Sequence, residues 1–206
     1  MDLNTPQNRQ CLISVFPKLG SDAKFFINSP CDTTYNCIAF AMGFQDRWVA
    51  SNENSVMRVE NIRRSNGRIA HRWWPEGATN DMAPASLVEA FEKLSFEKCD
   101  NGCQEPGYEK VALYSSNGKW THAAKVIDEN LYHSKFGECF DAVHSGGDIL
   151  VSSDTTKSYG TIFQFMKRLI SEKDQLLKKH ALPTGSSKAN PDILAIYIAR
   201  KRNGIG

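Results

Sequence analysis

The chain has 206 residues, 41% hydrophobic and 23% charged, enough for one substantial core and short for two. The formal net charge is +2, with basic residues dispersed except at Lys178-Lys179 and Arg200-Lys201-Arg202, which disfavours nucleic acid as a partner. No run approaches the roughly 18 apolar residues of a membrane span, and Met1 to Gln10 lack the basic start and apolar core of a secretory signal.

Six cysteines stand at positions 11, 31, 37, 99, 103 and 139. In a chain of this size without an export signal they read as reduced thiols of a cytoplasm-like compartment, although delivery by a specialised secretion machine leaves the same signature. Cys99 and Cys103, in Cys-Asp-Asn-Gly-Cys, find no second Cys/His pair at ligand spacing, so neither a metal nor another cofactor is expected.

Residues 1–30, rich in Asn, Pro and Ser around the apolar patch Cys11 to Phe16, form a partly ordered lead-in. A short helix is predicted to follow at Cys37, with Asp32, Thr33 and Thr34 as capping residues, an apolar run from Ile38 to Met42, and Gly43 as a left-handed stop. Residues 45–83 read as polar loops around Arg72-Trp73-Trp74-Pro75, whose indoles either border a substrate groove or pin the loop to the core. Residues 84–94 form the clearest helix, with Pro84 at its start and Leu87, Val88, Phe91 and Leu94 at helical spacing. Residues 108–136 carry three strand-like runs, joined through Asn117-Gly118 and Asp128-Glu129-Asn130, and predict an antiparallel meander. Tyr159 to Arg168 is a strand or the start of a helix, Ser171 to His180 a charged helix, 182–191 a linker, and Asp192 to Arg202 a terminal helix or strand. The whole is an α+β arrangement, a Cys-bearing helix packed on a β-meander.

The chemistry is read from Cys37 and His122. A thiol at a helix start feels the positive end of the helix dipole, and with an imidazolium nearby its pKa is expected to fall into a range of about 3.5 to 7.5. A two-residue turn at Asn117-Gly118 pairs Lys119 with Ser116 and sets His122 opposite Leu113, on the face of Val111, Ala124 and Val126. A third group must hold the imidazole, and register decides which. A three-residue loop at 128–130 puts Ser134 on the His122 face, a two-residue loop puts His133 there, and Asp141 is a stronger charge if the chain turns back. Ser134 is favoured. The backbone amides of Cys37 and Asn36 are candidates for an oxyanion hole.

At these residues the chain resembles an uncharacterised, mostly bacterial family whose blocks stand here as Asn36 to Gly43, Trp74-Pro75, Glu105 to Tyr114, Thr121 to Ala124, Ser134 to Gly137, Asp141 to His144 and Tyr159-Gly160 running to Lys167-Arg168. Order and spacing agree across roughly residues 35–168. More distantly, Cys at a helix start followed by His on a strand is similar to the papain-like superfamily, particularly NlpC-type amidases and peptidases and the glutamine deamidases delivered by pathogens. That resemblance implies a papain-like domain over 31–168 with a helical extension over 169–206. It further implies a cysteine hydrolase acting on an amide or thioester of a protein or peptide-like substrate: Cys37 as nucleophile, His122 as base, Ser134 as orienter, Asn36 at the oxyanion, and Trp73 and Trp74 at the cleft. A toxin or effector role fits the same pattern. The other reading is a non-enzymatic binding or immunity-type module that keeps the shell with Cys37 as packing.

Overall fold

A computed structural model describes residues 2–51, 61–63, 69–152 and 158–180. The helices are α1 (Pro6–Ile13), α2 (Cys37–Met42), α3 (Pro84–Glu92) and α4 (Ile170–Lys179). The strands are β1 (Phe26–Ser29), β2 (Arg47–Val49), β3 (Asn61–Arg63), β4 (Ile69–Trp73), β5 (Glu97–Cys99), β6 (Tyr108–Ser116), β7 (Lys119–Asp128), β8 (Leu131–Lys135), β9 (Asp141–Ser145) and β10 (Thr161–Leu169). Seven of these strands form one antiparallel sheet in the order β1-β9-β8-β7-β6-β10-β5, and β2-β4-β3 make a small second sheet. The fold is therefore α+β.

The large sheet is covered on both faces, which is why Val111 to Tyr114 in β6 is an unbroken buried run rather than an alternating one. Side chains alternate across a strand. Val111, Leu113 and Ala123 accordingly point to the face that α2 and α3 cover, while Ala112, Tyr114 and Ala124 point to the other. That second face is closed by Leu12 of α1 with Phe16, Leu19, Phe25 and Ile27. Residues 6–29, read from sequence as a lead-in, thus supply a helix, a 3-10 turn at Pro17–Ser21, an edge strand and much of one core.

The β6–β7 hairpin turns on Asn117 and Gly118, both at positive φ (52° and 73°), as a type I′ turn requires. Lys119 pairs with Ser116 as expected, but the register then slips. Ser115 pairs with Trp120 and Tyr114 with His122, so Thr121 is an extra residue in β7. His122 therefore faces Tyr114 and not Leu113, and its face carries Ala112 rather than Val111. A second slip follows the next turn, where Asp128 pairs with Leu131 around a two-residue loop and Ile127 is bulged out. The bulge undoes what the short loop alone would do and returns Ser134 to the His122 face.

Of residues 159–168, Thr161 to Arg168 belong to β10, where pairing with β6 on one side and β5 on the other settles an ambiguity that a short apolar run leaves open. Arg168 at its end is buried and does three jobs. Its guanidinium bonds Glu109 (2.8 Å from Nε), the carbonyl of Met42 that ends α2 (3.1 Å) and the carbonyl of Leu94 beyond α3 (3.2 Å). A cation on the last carbonyls of a helix satisfies orphan acceptors and opposes the dipole, so Arg168 ties both covering helices to the sheet. Lys173 of α4 completes the pair at Glu109 (2.7 Å). The expected terminal element at 192–202 lies outside the described residues.

Candidate functional site

Six residues make α2, and all six are buried. Asn36 starts it, since its side-chain oxygen accepts from Ala39 N (3.0 Å) and Val49 N (3.2 Å) while its amide nitrogen donates to Val49 O (2.8 Å). The cap is thus Asn36 rather than the Asp32, Thr33 and Thr34 expected from sequence, and Asp32 instead bonds Thr34 N (2.8 Å) in the preceding loop. Gly43 ends the helix at φ 102°, the left-handed conformation expected of it.

This anchoring sets Cys37 beside β7. The β7–β8 ladder stops at Lys125 and His133, although both strands continue. The backbone N–H groups of Ala123, directly after His122, of Ile38 and of Cys37 itself lie near the Cys37 sulfur. These donors favour a thiolate. Burial outweighs them, and the Cys37 thiol is pushed up to about 11. The lowered pKa expected from the helix dipole is therefore corrected: the residue is only 8% exposed, and desolvation of a thiolate exceeds what three amides return. Cys37 rests as a neutral thiol.

His122 is fully buried, and its Nε2 lies 2.9 Å from Ser134 Oγ. Ser134 Oγ lies 2.8 Å from His144 Nε2, and His144 Nδ1 lies 2.7 Å from the carbonyl oxygen of Ser145. One fixed point orients the chain of protons, because a carbonyl only accepts. His144 Nδ1–H donates to Ser145 O, so the bare Nε2 of His144 accepts from the Ser134 hydroxyl. Ser134 in turn accepts from His122 Nε2–H. The proton of the neutral His122 ring is thereby assigned to Nε2, and its Nδ1 is left as a lone pair, buried and without a hydrogen-bond partner. Burial pushes His122 well below the usual histidine range, with the neighbouring His144 adding to the effect, and burial lowers His144 to about 4. Both rings are neutral at pH 7.

Aromatic rings fix the imidazole. Tyr159 stacks on His122 with centroids 4.1 Å apart and planes 6° apart, and Tyr114 meets it edge-on at 5.3 Å. Burial holds the Tyr159 hydroxyl protonated, and the nearby Cys37 and Cys139 thiols reinforce this. Tyr159 is held in turn by Thr121, whose hydroxyl donates to the Tyr159 carbonyl at 2.6 Å. Gly160 follows at φ 74°, where a Cβ would collide with the Ser115 carbonyl. Tyr159, Phe136 and the bulged Thr121 also line a cavity of about 560 Å³, together with Leu12 and Phe16. The ring that covers His122 thus also borders an open space.

The structure joins Ser134 directly to His122 and does not join the alternatives. His133 points to the α2 face, edge-on to Phe40 at 4.7 Å, and Asp141 on that same face accepts from the Tyr35 hydroxyl at 2.7 Å. Cys37 and His122 make no hydrogen bond with each other: His122 points to the sheet face closed by α1, α2 with Cys37 covers the opposite face, and Ala123 and Tyr159 lie near both residues. Trp73 packs on Phe44 (5.4 Å) and His180 (5.5 Å), the pinning role, whereas Trp74 stacks on Trp120 (5.9 Å), a residue of the cavity wall. Neither indole of the pair lines the cavity itself. Sequence reasoning missed His144 and Tyr159 as members of the site. Their signals were present in the Asp141 to His144 and Tyr159-Gly160 blocks, but without register neither could be given a partner.

Among the described residues no group of three or more His, Cys, Asp or Glu is arranged to hold a metal ion, and no helix is long and apolar enough to cross a membrane. No curated protein matches the chain, and no solved structure does. A family model described as a domain of unknown function, DUF7689, matches residues 26–167, from the first residue of β1 to Lys167 within β10. The chain belongs to that family.

Proposed function

We propose that the protein is a papain-like cysteine hydrolase that cleaves an amide or thioester in a protein or peptide-like substrate, as an amidase, peptidase or deamidase. The observation that carries this reading is the unpartnered Nδ1 lone pair of His122, whose tautomer is set by Ser134 and His144. A base must be neutral, oriented and bare on the nitrogen that takes the proton; His133 Nε2 is likewise buried and unpartnered, but in His122 the bare nitrogen belongs to a ring whose other nitrogen is held by Ser134.

In the proposed reaction Cys37 and His122, out of hydrogen-bond reach at rest, close on each other as substrate binds. Cys37 Sγ attacks the substrate carbonyl as its proton passes to His122 Nδ1, because a thiol held near 11 reacts at neutral pH only when deprotonation accompanies attack. The imidazolium keeps its Nε2–H on Ser134. The tetrahedral oxyanion is met by amides at the start of α2, of Cys37 and Asn36. Collapse returns the His122 proton to the leaving amine or thiol and leaves an acyl group on Cys37, and water activated by His122 releases it. Trp74 and Trp120 border the approach, and the cavity beside Tyr159 offers room for a substrate side chain. A delivered toxin or effector fits this chemistry as readily as an enzyme of the producing cell.

The second reading, a binding or immunity-type module, draws on a different observation: Cys37 is shielded and makes no hydrogen bond with His122. One experiment separates the two. Wild type, Cys37→Ala and His122→Ala are compared for release of amine, ammonia or thiol from a panel of peptidyl anilides, glutamine-containing peptides and acyl thioesters. Turnover in wild type that both variants lose supports the hydrolase. Turnover that survives Cys37→Ala, or a panel left untouched by wild type together with no covalent adduct at Cys37, supports the module.

A further inference from the structure

We propose that Cys31 and Cys139 form a reversible disulfide that staples the loop leading into α2 to the β8–β9 turn. Two independent observations meet here. The first is topology: the β1–β9 ladder ends at the Ser29–Asp141 pair, and the two chain segments that run on from it lead within two residues to Cys31 and to Cys139. The second is contact, since the two sulfurs lie 3.5 Å apart. Bond formation brings them to about 2.05 Å, a closure of about 1.5 Å that side-chain rotation at the end of a ladder supplies.

Both cysteines are unbonded, Cys31 is exposed and Cys139 is partly so, and a small oxidant reaches them without unfolding. Cys139 sits in a tight turn, with its N–H on Phe136 O at 2.8 Å, and Lys135 bonds its carbonyl. Its position is therefore fixed on the β8–β9 side of the bridge. The oxidant class is a small-molecule disulfide such as oxidised glutathione. One protein thiolate attacks it and expels one glutathione thiol. The second protein thiolate then attacks the mixed disulfide and expels the other, so that two protein thiols lose two electrons and two protons, and one glutathione disulfide becomes two glutathione thiols.

The consequence is local to the cavity. Cys139 lines it, as does Cys11, and Cys31 opens the Cys31–Asn36 loop that ends at the α2 cap. Oxidation would couple the cavity wall to the start of the helix that bears Cys37. The proposal stands whether or not Cys37 is a nucleophile.

The test equilibrates the full-length protein in glutathione buffers of rising potential, quenches with acid, denatures, alkylates free thiols and weighs the protein and its non-reduced peptides. Wild type is expected to lose two of its six alkylatable cysteines together with about 2 Da, and to yield one linked peptide pair joining Cys31 to Cys139. Cys31→Ser and Cys139→Ser should each abolish that pair, whereas Cys11→Ser should retain it. Six alkylatable thiols at the most oxidising potential overturn the proposal. So do glutathione adducts without a linked pair, or a linked pair that contains Cys11 in the wild type.

Discussion

Ser134→Ala removes one oxygen and tests the whole relay. In the wild type that oxygen accepts from His122 Nε2 at 2.9 Å and donates to His144 Nε2 at 2.8 Å, with all three residues 0% exposed. The variant leaves one buried donor and one buried acceptor facing an alanine methyl. Each unsatisfied group costs about 1–3 kcal/mol, so the expected loss is about 2–6 kcal/mol of unfolding free energy. For a chain of this size each kcal/mol lowers Tm by about 2–4 °C, so a fall of roughly 5–20 °C is expected. Urea titration followed by tryptophan fluorescence gives the free energy, and nitrogen-15 NMR of the imidazoles gives the proton positions. Wild type should show His122 as the Nε2–H form and His144 as the Nδ1–H form, and Ser134→Ala should lose the fixed His122 tautomer. A loss below about 0.5 kcal/mol, the level of an ordinary surface change, with both tautomers retained, refutes the relay.

Three further outcomes follow from the same geometry. His122, His133 and His144 are each lowered by burial, His144 to about 4, so below pH 6.5 the unfolded chain binds protons the folded one refuses. Their contribution is complete above pH 6.5 and is lost as pH falls toward the folded values, amounting for His144 alone to about 3 kcal/mol at pH 4; a stability that stays flat from pH 7 to 4.5 contradicts the buried neutral rings. Arg168→Met strips Glu109 of its buried partner and frees the Met42 and Leu94 carbonyls, and should cost about 3–5 kcal/mol in the same titration, where a cost under 1 kcal/mol would show that α2 and α3 are held without it. Gly160→Ala forces a Cβ into the Ser115 carbonyl at φ 74° and should destabilise by more than about 1 kcal/mol, with loss of the upfield ring-current shift that Tyr159 imposes on His122; an unchanged His122 spectrum would show that Tyr159 is positioned independently of Gly160.

Local signals announced most of the architecture. Asn117-Gly118, Pro84 with its Leu87-to-Leu94 spacing, and Gly43 each have a backbone requirement that few residues meet, and each stands where its chemistry predicted. What sequence did not carry was register. Single bulges at Thr121 and Ile127 leave no trace in composition, yet the first moves His122 from Leu113 to Tyr114 and the second decides between Ser134 and His133. The same blindness hid the role of residues 6–29, because a mixed polar segment reads as loosely ordered until Leu12, Phe16 and Ile27 meet the far face of the sheet. It also misjudged the thiol. The cap and the dipole are legible locally, but desolvation of Cys37 comes from the cluster of α2, α3, β6 and β7 side chains that only tertiary packing supplies.

The most direct test of the proposed Cys37–His122 unit is the rate at which iodoacetamide labels each cysteine, resolved by mass spectrometry of peptides from wild type and His122→Ala at pH 7. If His122 deprotonates the buried thiol, the Cys37 rate falls at least about tenfold in the variant while that of the exposed Cys103 does not change. A Cys37 rate indifferent to His122, or labelling of Cys37 only once the protein unfolds, contradicts the unit and leaves Cys37 as packing.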